Sequence, residues 1–411
     1  MEKNTSGVNA NRLFYGSCFA LITTALSFSL RAGILPEVQL EIGLSGEQLG
    51  FINSMWFLGF PISMIIGGLI YHKVGGGKIM AFAFLAHAIG IVGTIYASSY
   101  GGLMAASLLI GLGNGCTEAA CNPMIADAYE GNMMSRMMNR FHMWFPGGIV
   151  LGSLLSIGMS SLEWSWQTQI WIIMIPTIIY AFLFFGQAWP KAKSVEATSI
   201  AGSFKGMMNP LFIFMFIVMA ITASTEFGTT QWVELVLAES GAQPMLILAL
   251  VAGLMAVARF FGGDVVGKFS TTGVLLGSAV LATIGIYLFS TQTGTMAYVA
   301  AIFFGLGVAY FWPNMIGFIA DYIPQSGALG LNVVGAMGMF ANVFMQPFFG
   351  STIDSNRASF EAEGLTGAAL ELAAGQATLS TMLLFPIVLI VLFTILFFWM
   401  KNKTPEAALA H

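Results

Sequence analysis

Charge is what this chain has least of. Only 8% of its 411 residues are Asp, Glu, Lys or Arg, against about a quarter in a soluble domain, and that excludes a water-soluble fold. The formal net charge of −4 is small, so no nucleic-acid partner is expected. Cysteine is equally scarce: Cys18, Cys116 and Cys121 all fall in apolar runs. An odd number without metal-like spacing predicts neither a disulfide framework nor a zinc site. The Gly-rich segments at Gly67, Gly111, Gly147 and Gly305 are not followed by Lys-Ser or Lys-Thr, so none reads as a phosphate loop. No nucleophile–base set or metal set accompanies them. The sequence points away from an enzyme, and no cofactor is expected.

What the chain does contain is hydrocarbon. It is 57% hydrophobic, with 48 glycines and 26 methionines, residues that suit close helix contact and adaptable packing in membranes. A spanning helix takes about 20 apolar residues. By that measure twelve runs qualify: 12–34, 47–71, 78–98, 101–128, 137–160, 168–188, 209–238, 243–268, 272–290, 294–321, 328–353 and 376–400. The first run is too long for a signal-peptide core and has no evident cleavage motif, so it is expected to stay as a span. Breaks carry turn or charge signals, such as Gly75-Gly76-Gly77 and Asn132 to Arg136. The longest polar interruptions are Trp189 to Asn209 and Asp354 to Gly375. The expected architecture is therefore an all-α membrane protein of twelve transmembrane helices in two six-helix bundles, 1–188 and 209–411, with a cytoplasmic linker at 189–208. With the amino terminus inside, nearly every lysine and arginine lies on the inner side, and only Arg357 falls in an outer loop. The positive-inside rule then predicts cytoplasmic termini on a multi-pass plasma-membrane protein, a bacterial inner membrane being the expected setting.

The halves repeat. Gly67-Gly68 and Lys73 match Gly262-Gly263 and Lys268 at an offset of 195 (262 − 67). Gly111-Leu112-Gly113 matches Gly305-Leu306-Gly307 at 194 (305 − 111), and Ala126-Asp127 matches Ala320-Asp321 at 194 (321 − 127). Parallel repeats with a substrate site near the midplane mark a large class of secondary transporters.

Polar residues inside the spans are the candidate site. An ionisable group in hydrocarbon is costly and is by default functional. Glu118 and Asn122, four apart on one face of the fourth span, lead the set, with Pro123 as a point where the helix could loosen. The bland alternative is a structural carboxyl paired to Arg31. Arg31 could hold a substrate carboxylate or hydroxyls, pair with Glu118 or Glu226, or snorkel to headgroups. Glu226 is its counterpart at 195 (226 − 31), followed by Gln231 and Trp232, a combination of carboxylate, amide and indole that suits a sugar. Trp232 could equally be an interfacial belt residue. His142 and Trp144 on the fifth span, Trp312 and Asn314 on the tenth, where Pro313 marks an expected bend, and Asn342 and Gln346 on the eleventh complete the candidate substrate set. Arg259 and Asp264 are expected to act in structure and gating at the end of the eighth span.

Span count, linker and repeat resemble the major facilitator superfamily. The superfamily's Gly-rich turn after the second span is matched by GGLIYHKVGGGK, Gly67 to Lys78, with Tyr71 or His72 where an acid is expected; the second copy, RFFGGDVVGK, keeps Asp264. Within the superfamily, Thr117-Glu118-Ala119-Ala120-Cys121-Asn122-Pro123 resembles the fourth span of the fucose permease group, helped by Ile34-Leu35-Pro36 and Gly147-Gly148. The resemblance implies a major facilitator fold and proton-coupled uptake of a fucose-, galactose- or glucose-like monosaccharide by alternating access. It carries the group's essential glutamate to Glu118, with Glu226 as a second proton-coupling candidate. The group's first-span aspartate falls near Ala32, beside Arg31, and its fifth-span asparagine near Trp144. The alternatives are a uronate or other anionic-sugar carrier anchored by Arg31, a sodium-coupled symporter, and, more remotely, a transporter-like nutrient sensor. The expected partners are a small-molecule sugar, a proton or sodium ion and the lipid bilayer, with the protein a monomer.

Overall fold

A backbone in hydrocarbon must satisfy its own hydrogen bonds, and a helix does so within one segment. The computed structural model describes residues 7–129, 131–190 and 200–403, and every regular element among them is helical. Residues group into two compact units, 1–44 with 51–195, and 45–50 with 196–411.

The first unit is built on α1 (Ala10–Ile42), α2 (Gly46–Val74), α3 (Gly76–Tyr96), α4 (Tyr100–Ala128), α5 (Gly131–His142), α6 (Trp144–Ser161), α7 (Trp166–Trp171) and α8 (Met174–Phe184). The second holds α9 (Ile200–Met207), α10 (Pro210–Gln231), α11 (Val233–Val236), α12 (Pro244–Phe260), α13 (Gly262–Phe269), α14 (Thr271–Thr291), α15 (Thr295–Val308) and α16 (Phe311–Tyr322). A 3-10 turn follows at Pro324–Ser326, then α17 (Gly327–Ala362), α18 (Gly367–Met382) and α19 (Leu384–Met400). Eleven helical stretches among the described residues are long and apolar enough to cross a bilayer, and the shorter Pro244–Phe260 stands where the twelfth is expected. The chain is a multi-pass integral membrane protein.

Local sequence sets the helix ends. Asn9, Ser99, Ser165 and Asn209 each cap the following helix by accepting from a backbone N–H in its first turn. Pro210 and Pro244 occupy first-turn positions, where no N–H is needed. Gly43 closes α1 in the left-handed conformation at φ 71°. The carboxylate of Glu41, near that end, accepts from Trp166 Nε1 at 2.6 Å and Gln167 Nε2 at 3.0 Å, fastening α1 to the start of α7.

Three sequence expectations change. Pro123 does not loosen α4, which continues through it to Ala128. The polar interruption from Asp354 to Gly375 is mostly helix: α17 extends to Ala362 and α18 begins at Gly367. Good helix formers such as Ala and Glu carry both helices past their apolar stretches, and Arg357 is therefore not in a loop but pairs with Glu371 at 2.6 Å. Part of the interval between the two sets of spans is also helical, as α9; residues 191–199 lie outside the described ones.

The repeat reappears as packing. Gly111 of α4 meets the backbone of Trp56 on α2, and Gly305 of α15 meets the backbone of Val251 on α12. Trp56 and Val251 are 195 apart (251 − 56). Likewise Gly113 abuts the ring of His87, and Gly307 abuts Ala282, again at 195 (282 − 87). The glycines recur because a neighbouring helix stands where a side chain would otherwise be.

Candidate functional site

In the first unit the site grows from α1. Arg31 lies on this helix with only 9% of its surface exposed. Its guanidinium sits 5.0 Å from the centroid of the Trp56 ring, a cation–π contact. Trp56 is fully buried, and its Nε1 donates to Ser27 Oγ at 3.0 Å. Ser27 and Arg31 are four residues apart, so one face of α1 carries both the indole's hydrogen-bond partner and the cation above it. Phe28 meets Trp56 edge to face at 5.8 Å. The geometry is a planar cation on a planar aromatic floor, suited to a flat anionic group such as a carboxylate.

On α4, Asn122 Nδ2 donates to Glu118 Oε2 at 2.6 Å, joining the two residues that the four-residue spacing placed on one face. Both are half-buried. At the end of the same helix Asp127 Oδ2 accepts from the Tyr71 hydroxyl at 3.1 Å. Tyr71, which stands near the position where the superfamily turn carries an acid, thus ties the ends of α2 and α4 by a hydrogen bond. His142 closes α5 and Trp144 opens α6; both are exposed, Trp144 by 38%.

In the second unit Glu226 is 7% exposed near the end of α10, followed by the fully buried Gln231 and Trp232. Trp232 Nε1 donates to Gln346 Oε1 at 2.8 Å, Gln346 Nε2 to Asn342 Oδ1 at 3.3 Å, and Asn342 Nδ2 to the carbonyl of Gly338 at 3.0 Å. Three residues chosen from sequence are thus joined in one chain, and the buried, hydrogen-bonded Trp232 is not a belt residue. The Trp312 ring packs against Gly338, and the buried Nδ2 of Asn314 has no hydrogen-bond partner among the described residues.

The expected bend at Pro313 is a break two residues long, between Val308 and Phe311. Proline lacks the N–H that would serve the carbonyl four residues back. That carbonyl, of Ala309, accepts instead from Arg259 Nε at 2.9 Å. The Tyr310 hydroxyl returns a bond to the carbonyl of Ala258 at 2.8 Å. Arg259 therefore stitches α12 to the break in the tenth span. The side chain of its sequence partner Asp264 lies outside the described residues.

The model of the Major Facilitator Superfamily matches residues 17–345. The chain belongs to this superfamily. Among curated proteins, the Bacillus subtilis (strain 168) hexuronate transporter is 25% identical over 176 residues, which are 43% of this chain and 41% of that protein. The Escherichia coli (strain K12) arabinose-proton symporter is 22% identical over 181 residues, 43% of this chain and 38% of that one. The matches to these relatives span well under half their length. Solved transporter structures share the fold over nearly the whole chain. A point mutant of the nucleoside transporter NupG gives a TM-score of 0.78 at 13% identity, covering 94% of this chain and 99% of that one. The D-xylose-proton symporter gives 0.77 at 14% identity, covering 97% and 98%. The solved structures that share this fold are transporters.

Sequence reasoning missed Trp56, Ser27, His87 and Asn114. His87 carried a usable signal: a histidine in the middle of an apolar span, one of four in the chain. Trp56 carried little, because nothing local says which aromatic from another helix lies beneath Arg31.

Proposed function

We propose that the chain is a secondary active transporter that carries a monosaccharide-sized substrate by alternating access, with a sugar acid of the uronate class as its preferred cargo. The observation that carries this reading is the Arg31 guanidinium held on the buried Trp56 ring in the first unit. A guanidinium grips a carboxylate through two parallel hydrogen bonds, and the indole beneath holds that guanidinium in place. The likeness to a hexuronate transporter supports the same direction. Glu226, Gln231, Trp232 and Asn314 in the second unit, and Asn342 with Gln346, are proposed to take sugar hydroxyls. His142 and Trp144 are weaker members of this set because both are exposed.

Glu118, hydrogen-bonded to Asn122, is the proposed proton-coupling carboxyl, with Glu226 as the second. A carboxyl that is neutral when substrate is bound removes a buried charge and lets the loaded carrier reorient. The resemblance of the Glu118 segment to the fucose permease group, and the likeness to an arabinose-proton symporter, support a second reading in which the cargo is a neutral sugar. The proposed setting is a bacterial inner membrane with both termini cytoplasmic and the protein monomeric.

Uptake into proteoliposomes separates these readings. Labelled D-glucuronate is expected to accumulate in a pH gradient, acidic sugars to compete and neutral sugars to compete poorly. Arg31→Gln is expected to abolish glucuronate uptake. Competition by D-galactose and L-fucose alone transfers the assignment to neutral sugars. Glu118→Gln is expected to keep exchange and lose proton-driven accumulation; intact accumulation removes Glu118 from the coupling. Replacing sodium by choline at fixed pH is expected to change nothing, and a loss of uptake makes the carrier sodium-coupled.

A further inference from the structure

His87 lies on α3, fully buried, and has been given no transport role above. Both of its ring nitrogens are engaged: Nδ1 with the Tyr180 hydroxyl at 2.8 Å and Nε2 with Asn114 Oδ1 at 2.9 Å. An amide oxygen only accepts, so Nε2 carries the proton; Nδ1 then accepts, and Tyr180 donates. Asn114 Nδ2 donates onward to Ser27 Oγ at 3.3 Å, where Trp56 Nε1 also arrives at 3.0 Å. Ser27 passes its own proton to the carbonyl of Thr24 at 2.8 Å. From Tyr180 to Thr24 the donors run in one direction, and the neutral imidazole satisfies all of them. In this orientation the Asn114 amide serves both neighbours. The chain links α8, α3, α4 and α1 and ends on the indole of α2.

The fold does not need this chain. At the repeat-related positions of the second unit His87 is replaced by Ala282, at 195 (282 − 87), and Asn114 by Val308, at 194 (308 − 114). The same helix contacts form there without polar groups, Gly305 against Val251 and Gly307 against Ala282. A buried polar network is costly unless every member is paired, and once paired it specifies one arrangement. This network is complete, confined to the unit that holds Arg31, and terminates under the guanidinium.

We infer that the His87–Asn114–Ser27 chain is a positioning device that fixes the Trp56 indole as the platform for Arg31, so that His87 sets affinity for an anionic substrate without touching it. The inference rests on the reading of Arg31 as the substrate anchor. Ser27→Ala removes the partner of the indole at Nε1, and a cut at His87 releases the Asn114 amide that holds Ser27, so that the indole tilts and the guanidinium follows.

The test uses the full-length protein in liposomes with labelled D-glucuronate as probe, and fluorine NMR of 5-fluorotryptophan-labelled protein, the Trp56 resonance being assigned by its loss in Trp56→Phe. His87→Leu and the smaller change Ser27→Ala are expected to raise KM for glucuronate about tenfold with Vmax nearly unchanged, and to shift or broaden the Trp56 resonance. His87→Gln, whose amide offers one donor and one acceptor but does not titrate, is expected to restore both. The inference is overturned if Ser27→Ala and His87→Leu leave the Trp56 resonance in place. It is also overturned if His87→Gln is as damaging as His87→Leu, because the imidazole then acts by titrating. Should wild-type protein ignore glucuronate, or Arg31→Gln transport it normally, the anchor reading fails. The fluorine spectra still decide whether the chain orients the indole.

Discussion

Arg31 and Glu226 occupy matching places in the two halves, a base in one and an acid in the other, 195 residues apart. Both were visible in the sequence because a charge inside an apolar run stands out against its cost. What each touches was not visible. Arg31 meets an aromatic ring from another helix, and the partner of Trp232 lies more than a hundred residues downstream at Gln346. Such contacts depend on helix rotation, which no local pattern states. The placing of the Arg31 guanidinium over the Trp56 ring also separates arginine from lysine. Arg31→Lys keeps the charge but loses the plane and the paired donors. It is expected to raise KM for glucuronate between about tenfold and a hundredfold, the range of one charge-assisted hydrogen bond, with Vmax less affected. Equal KM values for the two proteins in liposome uptake overturn the stacked-anchor geometry.

At the scale of the helix, proline predicted a bend in the tenth span and overstated the weakness of the fourth. Around Pro313 the chain opens, and Ala309 finds Arg259. Around Pro123 the helix continues to Ala128. Arg259→Leu strands the Ala309 carbonyl and is expected to lower stability by about 1–3 kcal/mol, read as a lower unfolding midpoint in detergent. Adding Pro313→Ala to Arg259→Leu returns an N–H to that carbonyl and is expected to recover part of the loss. Strict additivity of the two changes refutes the link. By contrast the Arg357–Glu371 pair is 21% and 34% exposed, so Arg357→Ala is expected to cost under about 1 kcal/mol. A large drop in midpoint contradicts this. The helices around that pair were misjudged from sequence because polar composition was taken as a break. Alanine- and glutamate-rich segments stay helical beyond the apolar run.

Across the whole molecule, the twelve apolar runs and the two-fold repeat were legible because bilayer thickness and chain duplication both write themselves into residue spacing. The Gly-Leu-Gly pairs marked real backbone contacts, Gly111 on Trp56 and Gly305 on Val251. The site was legible only in its charges and amides. The His87 chain escaped because its members come from five different helices. A side chain at Gly307 meets the backbone of Ala282, so Gly307→Val is expected to prevent accumulation of folded protein, measured as the monodisperse fraction after extraction in mild detergent. Normal yield shows that α14 and α15 can part without penalty.

The prolonged α17 and α18 have a practical consequence. Only residues 363–366 separate them, and Arg357 and Glu371 clamp the two prolongations side by side. A small membrane protein wrapped in detergent is hard to align in single-particle imaging. This stiff, short-turned stump is a ready graft point for a rigid fiducial protein, which would inherit the orientation of both helices.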